Sequence, residues 1–443
     1  LHALLLNFWG SILVALIVAG AVLPAVIFKD LRLFAIFVVL FLALALTPTA
    51  ITHRLKHDRS TLFSALLVGW GIVVLILSFL HFYDDIPLLD LRPDYILRHG
   101  YFVFLWLPFL FGAANFWAGN LGWIVFVCER WGFAILCFLA GADLITAHFF
   151  ADPKQLAWVG YRSYMEKSTF AFLFVTIYLT YLLRRRRHML CGAFLCGYFL
   201  LTKILQLGIM FNAMTGTIMF LFLATATVGF FSFVARARLI AIGYALLLSL
   251  LVGSMVNPGI VKGDTNAYWR AIAWQTNLQS LWSTGLVGVG FGTPYLPLTS
   301  LNFVQATMNL FDSQTVQAGD AVEAQYFRGQ HSSLVNIAYR LGVPGIFLFV
   351  FVNIYILSRL YRLLSSRTPE RPLMFLAFVQ LIVMLTQISV HVGLESPRFF
   401  MMYILATGLA LMSSHIGLMR QEEAVCSAPV STSAPSSQAL SLK

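Results

Sequence analysis

The sequence predicts an all-α, polytopic transmembrane bundle of about twelve spans, and three observations predict it. Hydrophobic residues make up 60% of the 443 and charged residues only 11%, with a mean hydropathy of +0.83, whereas a soluble domain carries about 25% charged residues. Apolar blocks recur at the ~20-residue length that crosses ~30 Å of hydrocarbon, not as the ten-residue alternation of a membrane β-barrel. A single long hydrophilic stretch, residues 257–331, interrupts them.

In chain order, the apolar runs place spans at 3–23, 31–50 and 61–82, then at 101–118 and 121–141, a pair parted only by Gly119-Asn120. A short sixth run follows at 169–183, then runs at 189–210, 212–233 and 237–256. Beyond the hydrophilic stretch lie the runs 332–357, 373–392 and 398–418. The chain therefore divides into nine spans over 1–256, a long external loop at 257–331, three spans over 332–420, and a tail, 421–443. The tail's Ser, Ala and Pro content buries too little apolar surface to order, so it is expected to be disordered.

Orientation follows from the basic residues. With the N-terminus inside, the inner loops hold Arg54, Lys56, Arg59, Arg184 to Arg187, Arg236, Arg238, Arg359, Arg362, Arg367 and Arg371, and the tail adds Arg420 and Lys443. The positive-inside rule then makes both termini cytoplasmic and the long loop external. The net charge of +11 is this topology signal plus contact with membrane lipids of negative charge; it calls for no nucleic acid. Cys128, Cys137, Cys191 and Cys196 lie in expected spans and Cys426 in the tail, without a C-x-x-C pair, so neither a disulfide framework nor a zinc site is indicated.

The external loop is more than a linker. Tyr268, Trp269, Trp274 and Trp282 mark Asn266 to Trp282 as an amphipathic helix suited to the membrane interface. The run Gly285-Leu286-Val287-Gly288-Val289-Gly290-Phe291-Gly292 permits tight turns and close backbone approach. It is a poor nucleotide site, because no strand precedes it and no Lys-Ser/Thr follows.

Charges in or beside spans are the next signal, since each costs about 2.5–3.5 kcal/mol at the bilayer centre. Arg340 falls ~13 Å along a helix from His331. Lys203, the adjoining Glu129 and Arg130, and Glu395 and Arg398 around Pro397 are the others. The plain reading is that Arg340 and Arg398 pair with carboxylates such as Glu395, or snorkel. Arg270, Arg328 and His331 bracket the external loop, and Ser332 or Ser333 is placed to cap the tenth span. A helix N-terminus with two arginines and a histidine describes an anion site beside a proton acceptor. Asp84-Asp85 is the one acidic pair that invites a metal, and it reads more simply as a helix-end feature; no metal and no cofactor is expected.

The string Arg328-Gly329-Gln330-His331-Ser332-Ser333-Leu334, followed by Arg340-Leu341-Gly342-Val343-Pro344-Gly345-Ile346-Phe347, resembles the H-N-x-x-L … G-x-x-G-x-x-x-F signature that closes the large periplasmic loop of the O-antigen ligase and polymerase superfamily. Arg270, Trp274 and Gly288-x-Gly290-Phe291-Gly292 resemble that family's R-x-x-x-W and G-x-G-x-G segments. The resemblance covers residues 260–350 in pattern and the rest in architecture. Two departures stand out: Ser332 replaces the usual Asn, and Thr215-Gly216-Thr217 stands where a Ser-Arg pair often opens a middle span, with Lys203 the nearest substitute.

The resemblance implies a glycosyltransferase-C-like fold in the bacterial inner membrane, with its active site facing the periplasm. It also implies metal-independent transfer of a glycan from undecaprenyl diphosphate to the lipid A-core oligosaccharide, most like an O-antigen ligase. His331 would be the general base, with Arg270 and Arg328 on the diphosphate. Arg340, Arg398, Lys203, Trp274 and Ser332 would contact donor or acceptor. A polymerase or a protein O-oligosaccharyltransferase would use the same donor with another acceptor. A transporter would instead show discontinuous helices and an inverted repeat, and no repeat is evident. The topology is directly testable: cysteines at Gln317 and Gln325 should label with a membrane-impermeant reagent from outside and one at Ser365 should not, and the reverse pattern would invert the orientation.

Overall fold

The computed structural model of the protein describes residues 2–22, 31–79, 93–149, 214–228, 230–262, 265–292, 332–365, 368, 370–390, 394–395 and 397–426. Among them the chain is helical and has no strand. The helices are α1 (His2–Val22), α2 (Leu31–Leu46), α3 (Ala50–Leu55), α4 (Arg59–Phe79), α5 (Pro93–Phe104), α6 (Trp106–Phe149), α7 (Met214–Thr227), α8 (Phe233–Val256), α9 (Thr265–Ser283), α10 (Ser333–Leu363), α11 (Arg371–Val390) and α12 (Pro397–Cys426). Six of them contain segments long and apolar enough to cross a membrane: Arg59–Ser78, Trp106–Val127, Phe233–Val256, Ser333–Leu363, Arg371–Val390 and Phe399–Met419. The protein is thus a helical membrane bundle. The sixth and seventh expected spans lie outside the described residues.

α11 and α12 are almost wholly buried, so they form the centre against which α6, α8 and α10 pack. Helix association in lipid gains nothing from expelling water and relies on close fit and polar ties. The fit is aromatic: Trp106 meets Tyr403 and Phe349 at 5.4 and 5.6 Å, and Phe41 stacks on Phe109 at 4.5 Å. The ties reach across helices, with Trp117 donating to the Leu405 carbonyl (2.8 Å) and Asn115 to those of Leu44 and Thr47 (2.8 and 2.9 Å).

α6 corrects the expected pair of spans at 101–118 and 121–141. It runs unbroken through Gly119-Asn120. Asn120 donates to the Phe116 carbonyl one turn back and to Leu6 of α1, while Gly119 lies against Leu6. The small and polar pair is spent on packing α1, not on a turn. α12 likewise continues to Cys426, beyond the expected start of the tail at 421. The rest of the tail lies outside the described residues.

α10 is broken where the sequence carries its helix breakers. Gly342 has φ +67°, and Pro344 follows inside the helix. In an unbroken helix the carbonyls of Tyr339, Arg340 and Leu341 would take the N–H groups of residues 343 to 345, and Pro344 has none. Each finds a substitute. Val289 N donates to Tyr339 O (2.8 Å) and Gly290 N to Arg340 O (3.1 Å), and the Trp70 indole of α4 donates to Leu341 O (2.7 Å). The freed Val343 N donates to Leu286 O (2.9 Å). The glycine run is therefore inlaid into the break, with φ of +94°, +78° and +86° at Gly288, Gly290 and Gly292.

The expected amphipathic helix of the external loop is α9, one residue longer at each end. Ala271, Trp274, Asn277 and Leu281 are buried at helical spacing, and Trp282 near the end of the helix is 76% exposed.

A Cβ at Gly288 would stand 2.5 Å from Gly342 N and 2.6 Å from Arg340 O, both rigid backbone, on top of its positive φ. Gly288→Ala should therefore cost about 3 kcal/mol or more. Gly122→Ala in α6, with nothing within 4 Å, should be neutral or stabilise by about 0.5–1 kcal/mol. Thermal unfolding in detergent compares the two, and equal midpoints would contradict the inlay.

Candidate functional site

One end of the bundle gathers the glycine run, the start of α10 and the turn at 394–395 between α11 and α12. Ser332 is the N-cap of α10: it is buried, and its Oγ accepts from Val335 N at 3.3 Å. Ser333, Asn336 and Arg340 then follow at i, i+3 and i+7, which puts all three on one face of the helix. All three are buried.

That face binds Glu395. Ser333 Oγ donates to its carboxylate at 2.6 Å and Asn336 Nδ2 donates to the other oxygen. Ser333 Oγ also accepts from Leu394 N (2.9 Å), and Tyr101 of α5 donates to Leu394 O (2.7 Å). Burial pushes the Glu395 carboxyl above its ordinary value of 4.5. The hydrogen bonds from Ser333 and Asn336 and the charge of Arg340 oppose that rise without cancelling it.

Arg340 is 2% exposed. Its Nη1 donates to Gly290 O at 3.0 Å, and its guanidinium lies 5.5 Å from the Tyr339 ring centre. Between Arg340 and Glu395 the expected direct pairing gives way to a different arrangement: Ser333 and Asn336 hold Glu395, while Arg340 clamps the glycine run and reaches Glu395 through its charge.

Arg270 is half-buried on α9, which packs on α10 and α8. Trp274 packs inward. It is 4% exposed in a small apolar cluster with Leu247, Leu251, Val335 and Val390, so it fixes α9 to the bundle. Arg398 is the second residue of α12. His331, Arg328, Lys203 and the Asp84-Asp85 pair lie outside the described residues.

Glu395 and Asn336 were the residues least visible as a pair in the sequence, although Ser333, Asn336 and Arg340 at helical spacing in an apolar run were a readable signal. His99, 1% exposed on α5, lies one residue from Gly100, which packs against Phe291 of the glycine run. Among the described residues no three His, Cys, Asp or Glu side chains come together to hold a metal ion.

The opposite end has its own polar cluster. Asp58 accepts from Arg359, and His415 Nε2 lies 3.3 Å from the same oxygen. Burial works against the Asp58 charge, but hydrogen bonds from His415 and Ser60 and the Arg359 charge outweigh it and hold the carboxyl well below its usual range. The cluster joins α4, α10 and α12 on the side where the basic residues gather.

No protein-family model matches the chain, and no curated protein matches it.

Glu395 sets a pH dependence whose sign is fixed. Because its folded pKa is raised, the folded state prefers the protonated acid, so its contribution is full below about pH 4.5 and is lost as pH rises through the folded value. Glu395→Gln should flatten that decline in thermal stability. An unchanged slope would mean that Glu395 is not the titrating group.

Proposed function

We propose that this protein is a membrane glycosyltransferase that moves a glycan from undecaprenyl diphosphate to an acceptor hydroxyl at the outer face of the bacterial inner membrane. Its acceptor is the lipid A-core oligosaccharide, as in an O-antigen ligase. One observation carries the reading. The two segments that bear the resemblance, Gly288 to Gly292 and His331 to Phe347, are 50 residues apart at Gly290 and Arg340, yet are bonded through those residues' backbones and side chain. In this reading the Ser333 end of α10 faces outward and the Asp58 end faces the cytoplasm, which agrees with the basic loops.

The chemistry follows from the residue types. The acceptor oxygen forms a bond to the anomeric carbon as the bond to the diphosphate oxygen breaks. His331 takes the acceptor's proton, and the electron pair leaves on the diphosphate. A single displacement inverts the anomeric centre. Arg270 and Arg328 stabilise the charge that grows on the leaving group, which fixed cations do best where water is excluded. Arg398 and Lys203 are further candidate phosphate contacts. Ser332 starts the helix that His331 leads into, and Glu395, through Ser333, positions its first turn. Arg340 positions the glycine run.

The break in α10 is also what a transporter would show. Against that reading, the Tyr339, Arg340 and Leu341 carbonyls are taken by Val289, Gly290 and Trp70, so they are not offered to a passing ion.

Purified protein supplied with fluorescent lipid-linked glycan, with and without lipid A-core, tests the proposal. Glycan joined to lipid A-core supports ligation, growth of the lipid-linked glycan alone points to a polymerase, and no transfer to either acceptor overturns the reading. His331→Ala should lose about 10²–10⁴-fold in rate with donor binding retained. Arg270→Lys and Arg328→Lys should lose transfer without losing thermal stability, since lysine keeps the charge but not the planar fork that grips two phosphate oxygens. Wild-type transfer by both lysine variants would remove these arginines from the site.

A further inference from the structure

α5 has 12 residues, about 18 Å of helix, too few to cross the hydrocarbon. It lies at the Ser333 end of the bundle, where it touches both the glycine run and the turn at 394–395. On one side Gly100 lies against Phe291 of the run: a Cβ there would stand 2.9 Å from the Phe291 ring. Phe104, one turn on, meets the same ring at 5.6 Å, and the Phe291 N–H donates to Ser78 Oγ of α4 at 3.1 Å. On the other side is Tyr101. Its hydroxyl donates to Leu394 O at 2.7 Å, and its ring meets Phe400 of α12 edge-on at 5.7 Å. Leu394 N in turn donates to Ser333 Oγ at 2.9 Å, so both backbone polar groups of this fully buried residue are taken, one by α5 and one by the first residue of α10.

We propose that Tyr101 is a positioning residue, which sets the register between the glycine run and the first turn of α10. Its effect on transfer rests on the glycosyltransferase reading; its effect on the backbone does not. A buried carbonyl in a turn between two helices needs a donor, and a phenylalanine would pack the same ring, so the hydroxyl is what fixes the turn. Gly100 and Tyr101 are adjacent on one helix, so any shift of α5 moves Phe291 and Leu394 together. Arg340 and the backbone bonds at 289 and 290 tie the run to α10 beside its break, and Tyr101 adds a tie at its start. In the transferase reading the arginines and His331 come from separate segments that must meet at one distance. A misplacement of about 1 Å arising far from the reacting atoms is enough to cost about 10²-fold in rate.

The test compares two buried tyrosines in the purified full-length protein in detergent. Tyr101→Phe keeps the ring on Phe400 and removes the hydroxyl from Leu394 O. Tyr403→Phe removes a hydroxyl that donates to Asn353 Oδ1 at 2.6 Å, further down α10. Both should lower the thermal midpoint to a similar extent. Tyr101→Phe alone should lower kcat, by about 10–100-fold, with the KM for lipid-linked glycan unchanged. Hydrogen exchange at Val335 and Asn336, whose N–H groups are held by Ser332, and at residues 289–291 should quicken in Tyr101→Phe and not in Tyr403→Phe. Ser333→Ala cuts the same chain of bonds from the other side, so adding Tyr101→Phe to it should lower kcat no further. Wild-type kcat in Tyr101→Phe, an equal loss in both tyrosine variants, additive losses in the double variant, or unchanged exchange would overturn the role of Tyr101 and leave the transferase reading standing. Local quickening of exchange in Tyr101→Phe of a protein that transfers no glycan would overturn the transferase reading and leave Tyr101 as the tie between the two segments.

Discussion

The break at Gly342 governs the rest of the structure. A backbone that leaves helical geometry at membrane depth exposes polar groups that lipid cannot satisfy, and each costs several kcal/mol unless protein supplies a partner. Here the Tyr339, Arg340 and Leu341 carbonyls and the Val343 N–H all have substitutes: Val289 and Gly290 from the loop after α9, Trp70 from α4, and Leu286 O for the freed Val343 N–H. The loop is consequently part of the helix's own hydrogen-bonding scheme. This also accounts for the unusual backbone of Leu286, a non-glycine residue at φ +68°, whose carbonyl is the acceptor for Val343. Strain of about 1–3 kcal/mol at such a residue is offset by satisfying a group that would otherwise be buried unpaired.

α10 is also anchored at both ends by buried ionisable clusters. Ser333 and Asn336 hold Glu395 at one end; Arg359 meets Asp58 and His415 at the other. Removing one partner from such a cluster leaves an uncompensated polar group and costs far more than the cluster contributes as a whole. Their effect is accordingly on geometry. They fix the rotation and axial position of α10 relative to α4 and α12, so that the residues entering its first turn have a defined place.

Much of this was legible in the sequence. The ~20-residue apolar blocks located five of the six described segments long enough to cross a membrane, with ends up to six residues off, and the sixth, Trp106–Val127, falls across the expected pair merged into α6. There, Gly119-Asn120 has the composition of a turn, and only the neighbouring α1, invisible in a local reading, makes it a packing site. The cap at Ser332, the helix over Asn266 to Trp282 and the close approach of the glycine run were readable because each has a local chemical reason. What the glycines approach was not readable, since it depends on which helix is broken and where its carbonyls point. The packing of Trp274 was hidden for a similar reason: its apolar neighbours come from α8, α10 and α11, none of them local in sequence. Glu395 was visible as an anomaly, but the nearby arginines made an ion pair the obvious solution, and two neutral side chains hold it instead.

That substitution matters for any anion bound at this end of α10. The N-terminus of a helix attracts negative charge, and an ionised carboxylate beside it would repel a diphosphate drawn to the same place. A carboxylate paired directly with Arg340 would stay ionised and would also engage the guanidinium that clamps Gly290. With Ser333 and Asn336 as neutral partners, burial raises the Glu395 carboxyl above its ordinary value and makes the ionised form the costlier one. The same burial thus opposes a fixed negative charge beside the positive end of α10, and the neutral partners leave the Arg340 guanidinium on the Gly290 carbonyl in the break.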